Sequence, residues 1–125
     1  MAAKISHAVK TLIAERIDSI PELEALLLVR DDRASDWSPE EAGKRLYVST
    51  LVATYILGIL RERGFLAERD ARYRYEPASS ELADAVDQLA AAYARHLVAV
   101  TEIVHSKPSR NIRDFANAFR VRGPQ

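Results

Sequence analysis

The chain has 125 residues, no cysteine, and 18 Lys and Arg against 18 Asp and Glu. That length makes one domain, large enough to bury a core without covalent staples. The missing cysteines exclude a disulfide framework, a Cys-based zinc site, an iron–sulfur cluster and a thiol nucleophile.

With 48% apolar and 29% charged residues the composition is that of a soluble globular protein. The longest apolar run, 51–60, is interrupted by Thr54 and Gly58 and is too short to span a bilayer. Charges recur through the first 18 residues, unlike a signal peptide, so a cytoplasmic location is expected. The zero net charge is unevenly spread: residues 15–41 carry a net −6, residues 44–75 a net +4 and residues 107–122 a net +4. Two basic blocks on one face suffice to meet phosphate.

Ile5, Val9, Leu12, Ile13 and Ile17 recur at helical spacing and predict a helix over 4–18. Ser19 and Glu22 then form a capping box around Pro21 and start a helix that ends near Asp31. A loop follows. Ser38 is the next cap, with Pro39 at the first helical position and Glu41 completing a second capping box, for a short helix to about Leu46. Trp37 and Ala42 hold the two places of a hydrophobic staple, which makes the lone Trp a packing residue. Ser49 caps a helix from Thr50 to about Arg63, and Gly64 ends it as a left-handed C-cap.

The period then changes. Residues 65–69 and 72–75 flank Asp70-Ala71, and Tyr73 and Tyr75 alternate with Arg72 and Arg74, as in a half-exposed hairpin strand. Ala71 is a poor residue for the tight turn this requires. From Ser80 to about His105, Leu82, Val86, Leu89, Tyr93, Val100 and Ile103 form one apolar seam. About 26 residues at 1.5 Å each predict a rod of about 39 Å, longer than a small domain, so part of the seam needs a partner. Ile112, Phe115, Ala116 and Phe119 make a last short amphipathic helix.

A short helix, a three-residue turn, a second helix ending in Arg-x-x-Gly-Phe-Leu and a hairpin form an ordered set. It comprises Ser38-Pro39-Glu40-Glu41-Ala42, Leu46, Ser49, Val52, Ile56, Leu60, Gly64-Phe65-Leu66 and Arg72-Tyr73-Arg74-Tyr75. This set resembles the winged helix-turn-helix of bacterial transcriptional regulators, and the flanking helices resemble the MarR-type arrangement. The resemblance implies a mostly α fold with a small β-hairpin wing. Its parts would be an N-terminal helix over 1–19, the winged helix-turn-helix over 20–77, and a long helix plus a short terminal one over 78–125. It also implies homodimerisation through the terminal helices. By position Ser49, Thr50, Ala53 and Thr54 would face DNA from the recognition helix. Arg69, Arg72 and Arg74 would lie on the wing near phosphates or a minor groove, and Lys44 and Arg45 would reach the backbone.

The recognition helix departs from this pattern. Residues 50–60 contain no Arg, Lys, Asn or Gln, the side chains that make bidentate contacts to bases. It also carries two apolar stripes: Val52, Ile56 and Leu60 are expected on the core, with Leu51, Tyr55 and Ile59 about a hundred degrees away. A helix apolar on most of its circumference is usually buried. Alternating Arg and Tyr on a hairpin also fits an ordinary solvated edge. Lys107, Arg110, Arg113, Arg120 and Arg122 read as a solvated face and tail.

Nothing points to catalysis. His7, His96 and His105 lack metal-motif spacing, no Gly-x-Ser-x-Gly element is present, and the glycines are too scattered to cradle phosphate. Glu81, Asp84 and Asp87 recur every three residues in the first turns of the long helix, and the helix dipole is reason enough for two of them. No metal, cofactor or enzymatic activity is expected. The leading expectation is a homodimeric winged-helix transcriptional regulator that binds double-stranded DNA. The alternative is a protein-interaction module on the same scaffold. Its contact face would be Leu51, Tyr55 and Ile59, or else the seam of the long helix. The protein interface as a whole would draw on Leu89, Tyr93, His96 and Val100 of that seam, with Phe115 and Phe119 of the terminal helix serving the dimer.

Overall fold

Four serines set the starts of four successive helices. The computed structural model describes residues 4–107. Ser6 caps α1 (His7–Arg16), Ser19 caps α2 (Ile20–Asp31), Ser38 caps α3 (Pro39–Leu46) and Ser49 caps α4 (Thr50–Glu62). In each the hydroxyl accepts a backbone N–H three residues on, satisfying a donor that the helix leaves open. The Ser38–Glu41 capping box is complete. The expected Ser19–Glu22 box is only half present. Glu22 accepts the N–H of Asp18 at 3.0 Å instead, because its carboxylate is drawn into a buried ion cluster.

Arg63 follows α4, and Gly64, at φ 89°, turns the chain into the hairpin. Strands β1 (Leu66–Arg69) and β2 (Arg72–Tyr75) pair antiparallel, with Leu66 opposite Tyr75 and Arg69 opposite Arg72. Asp70 and Ala71 both take left-handed φ, 53° and 61°, as a two-residue hairpin turn demands. For Ala71 that conformation costs about 1–2 kcal/mol. Trp37 adds a one-residue third strand by exchanging two hydrogen bonds with Tyr73, at 2.7 and 2.8 Å.

The expected single rod after the hairpin is two helices, α5 (Ser80–Arg95) and α6 (Leu97–Ser106). No proline or glycine marks the break. His96, at φ −136° and ψ 53°, leaves the helical region, and beyond it α6 lies along α1 with Val100 and Val104 buried. Burial of those two valines within the chain replaces the straight seam that was expected to await a partner. The last short helix, with Phe115 and Phe119, lies outside the described residues.

The core runs as one cluster through Ile13, Ile17, Leu23, Leu26, Leu57, Leu60, Phe65 and Leu89. On one side α1 packs against α5 and α6; on the other α2 packs against α3, α4 and β2. The result is a mostly helical winged helix-turn-helix with helices before and after it.

Candidate nucleic-acid interface

The helix-turn-helix is closed by a tight turn between α3 and α4. Tyr47 takes the left-handed conformation, φ 59° and ψ 41°, and Val48 donates its N–H to Gly43 O at 3.0 Å. This approach requires glycine at position 43, since a Cβ there would lie 2.9 Å from Val48 O. A bulky residue in left-handed backbone is strained, and such strain concentrates at functional sites. Tyr47 spends it to stand 94% exposed.

The core-facing side of α4 is Ala53, Ile56, Leu57 and Leu60. Ala53, expected to face DNA, is fully buried, whereas Val52, expected on the core, is 43% exposed. Ile56 and Leu60 of the expected core stripe are buried, joined by Ala53 and Leu57 in place of Val52. Leu51 at 80% and Tyr55 at 58% exposure stand beside Thr50 and Thr54 on the open face. A helix that its composition marked for burial thus presents Leu51, Val52 and Tyr55 outward, with Tyr47 of the preceding turn beside them. The Thr54 hydroxyl donates to Thr50 O at 2.8 Å, and the Ser49 hydroxyl accepts from Val52 N at 3.1 Å.

Lys44 and Arg45 lie exposed in the last turn of α3. The Arg45 guanidinium sits 5.6 Å from the centre of the buried Trp37 ring, a cation–π distance that holds it beside the turn. No ion pair forms to either residue among the described residues.

The wing arginines are less free. Arg72 donates to Glu41 Oε1 at 2.8 Å and to Asp36 O at 2.9 Å, and Arg74 donates to Asp36 Oδ1 at 2.7 Å. Arg69, at the tip, is exposed and has no ion pair among the described residues. The Ser38 backbone N–H, reinforced by Arg72, holds the Glu41 carboxyl below the usual carboxylate range. Burial pushes the Tyr73 and Tyr75 hydroxyls up, and both rings anchor the wing to the core.

At the far end of the molecule, the expected seam is divided. Leu89 and Val100 are fully buried within the chain and unavailable to a partner. Tyr93 is half-buried and donates to Glu24 at 3.2 Å, while His96 is half-buried at the helix break. Leu97 and Val98, 54% and 66% exposed, instead border an open concavity of about 810 Å³ between α1 and α6.

The arrangement contains one feature that sequence reasoning missed. Arg63 ion-pairs with Asp18 at 3.1 Å and Glu22 at 2.5 Å, both nearly buried, and Lys107 lies 3.0 Å from Asp18. Lys107 also donates to the carbonyls of Ile13, Ala14 and Ile17, at 2.6, 3.0 and 2.8 Å. It thus closes the open end of α1, where a cation is favoured, rather than standing on a solvated face. Only the acidic balance of 15–41 against the basic blocks hinted at such a cluster.

Among the described residues no group of three or more His, Asp or Glu could hold a metal ion. Nor is any described helix long and apolar enough to cross a membrane. No protein-family model and no curated protein matches the chain. Among solved structures it is similar to a MarR family protein of Mycobacterium tuberculosis, Rv2887, at 17% identity and a TM-score of 0.51. The match covers 94% of this chain and 83% of that one. The fold is therefore the MarR-like winged helix.

Proposed function

We propose that the protein is a dimeric winged-helix transcriptional regulator that binds double-stranded DNA in the cytoplasm, without catalytic activity. The observation that carries this reading is the exposed start of α4, flanked by Lys44 and Arg45, which form no ion pair among the described residues, and followed by a wing ending in Arg69. Ser49, Thr50 and Thr54 stand where a recognition helix meets base edges. Arg72 and Arg74 contribute less than Arg69, because Asp36 and Glu41 already neutralise them. Leu97, Val98 and the concavity beside them support a dimer seam on the opposite side.

Fluorescence anisotropy of a labelled mixed-sequence duplex, titrated with protein across salt, tests the reading. Binding should strengthen steeply as salt falls, and Lys44→Ala/Arg45→Ala should weaken it and flatten the salt slope by about two. Binding indifferent to that double substitution overturns the assignment of these cations. No binding at low salt overturns the DNA role.

A second reading rests on Tyr47, Leu51, Val52 and Tyr55, whose exposure also supports a protein partner on α4. It expects Leu51→Asp to abolish capture of that partner and leave the fold intact.

A further inference from the structure

We infer that α4 recognises thymine through its C5-methyl groups, so that the preferred sites are rich in A·T pairs contacted in the major groove. The inference rests on the DNA-binding reading above and specifies what that face selects.

The polar groups of the face are few and partly committed. From Tyr47 to Leu60 the chain has no Arg, Lys, Asn or Gln, which removes bidentate pairing to guanine or adenine. The hydroxyl hydrogen of Thr54 is already donated to Thr50 O. The face is instead dominated by carbon: Leu51 is 80% exposed, Tyr55 58% and Val52 43%, within the first two turns of the helix. The one apolar feature on the floor of the major groove is the thymine methyl. Set against a G·C pair, the Leu51 and Val52 side chains would strip water from amino and carbonyl groups and return no hydrogen bond, which opposes binding there. An apolar helix start thus selects for thymine and against unmodified guanine–cytosine pairs together.

Charge completes the fit. Lys44 and Arg45 on one flank and Arg69 on the wing match a polyanion, whereas an apolar protein surface would leave them without partners. These cations supply affinity that does not depend on sequence, and Leu51 and Tyr55 supply the choice of base. One buried methyl is worth a factor of about four, so losing two contacted methyls weakens binding about fifteenfold.

The test compares four duplexes of one length at one low salt concentration, with the full chain and anisotropy as readout. They are alternating A·T, the same duplex with deoxyuridine for thymidine, alternating G·C, and that duplex with 5-methylcytosine. Deoxyuridine removes the methyl and leaves base pairing and every hydrogen-bonding edge intact; 5-methylcytosine places a methyl at the equivalent position of a G·C pair. The expected result is about fifteenfold weaker binding to the deoxyuridine duplex and stronger binding on cytosine methylation. Leu51→Ala, at an exposed position, should shrink both differences while keeping the salt slope and the melting temperature.

Equal binding to the thymidine and deoxyuridine duplexes overturns the inference and leaves DNA binding standing. A preference for unmethylated G·C overturns it as well. Failure to bind any of the four overturns both the inference and the reading beneath it, and gives the apolar face to a protein.

Discussion

Arg72 and Ser38 meet on a single atom: Glu41 Oε1 accepts the Arg72 guanidinium at 2.8 Å and the Ser38 backbone N–H at 2.9 Å. The capping box that starts α3 is therefore also the anchor of the wing. Local helix chemistry and the placement of a hairpin more than thirty residues away share one carboxylate.

That sharing has a pH signature. The Glu41 carboxyl is held below its ordinary value chiefly by the Ser38 N–H, with Arg72 adding to it. A carboxylate lowered in the folded state adds stability above its unfolded value, and the contribution is lost as pH falls through the lowered folded value. Thermal melts should show the native protein losing more stability than Glu41→Gln as pH drops from neutral into the acid range. At neutral pH the variant should melt lower. Because the Glu41 side chain is about half exposed, added salt should narrow the gap. Superimposable acid limbs would show that this carboxylate does not stabilise the folded state.

The ion cluster at Arg63 makes a larger prediction. Arg63 serves Asp18 and Glu22, whose residues are only 8% and 7% exposed, and also donates to Arg16 O at 2.8 Å. Arg63→Met leaves buried carboxylates undercompensated and should cost about 3–5 kcal/mol in urea unfolding. Arg63→Lys, which keeps the charge but not the fork, should fall between native and Met. A cost below about 1 kcal/mol for Met would mean that the cluster rearranges around Lys107.

Two glycines of the helix-turn-helix should respond oppositely to alanine. At Gly43 the added methyl meets Val48 O at 2.9 Å, a backbone atom of the turn, so Gly43→Ala should destabilise by about 1–3 kcal/mol. At Gly58, inside α4, nothing lies within 4 Å of the added carbon, and alanine should stabilise by about 1 kcal/mol. Denaturant melts of the two variants check this. Equal effects of the same sign would show the tight approach at the turn to be slack.

The elements that could be read from sequence are those decided locally. Ser38-Pro39 with Glu41, Ser49 before α4 and Gly64 after it each state their role within four residues, and the helices start and stop there. Elements decided by distant partners could not be read this way. The break at His96 has no breaker residue, because what bends the chain is the burial of Val100 and Val104 along α1. For α4 the apolar stripes were visible and Ile56 and Leu60 meet the core as expected, but the edge of the buried face was not legible. Ala53 took the place expected of Val52. The Lys44, Arg45 and Arg69 positions were visible as charges. The carboxylates that occupy Arg72 and Arg74 come from the loop and helix before the turn, and no spacing rule reaches that far.

Lys107 gives the fold an order of completion. Its ammonium group supplies hydrogen bonds to the carbonyls that end α1, across a sequence separation of at least 90 residues. Contacts between such distant positions form slowly, because the intervening chain must first be brought together. During synthesis the first helix emerges early, yet its last turn stays open to water until α6 has left the ribosome and folded back along it.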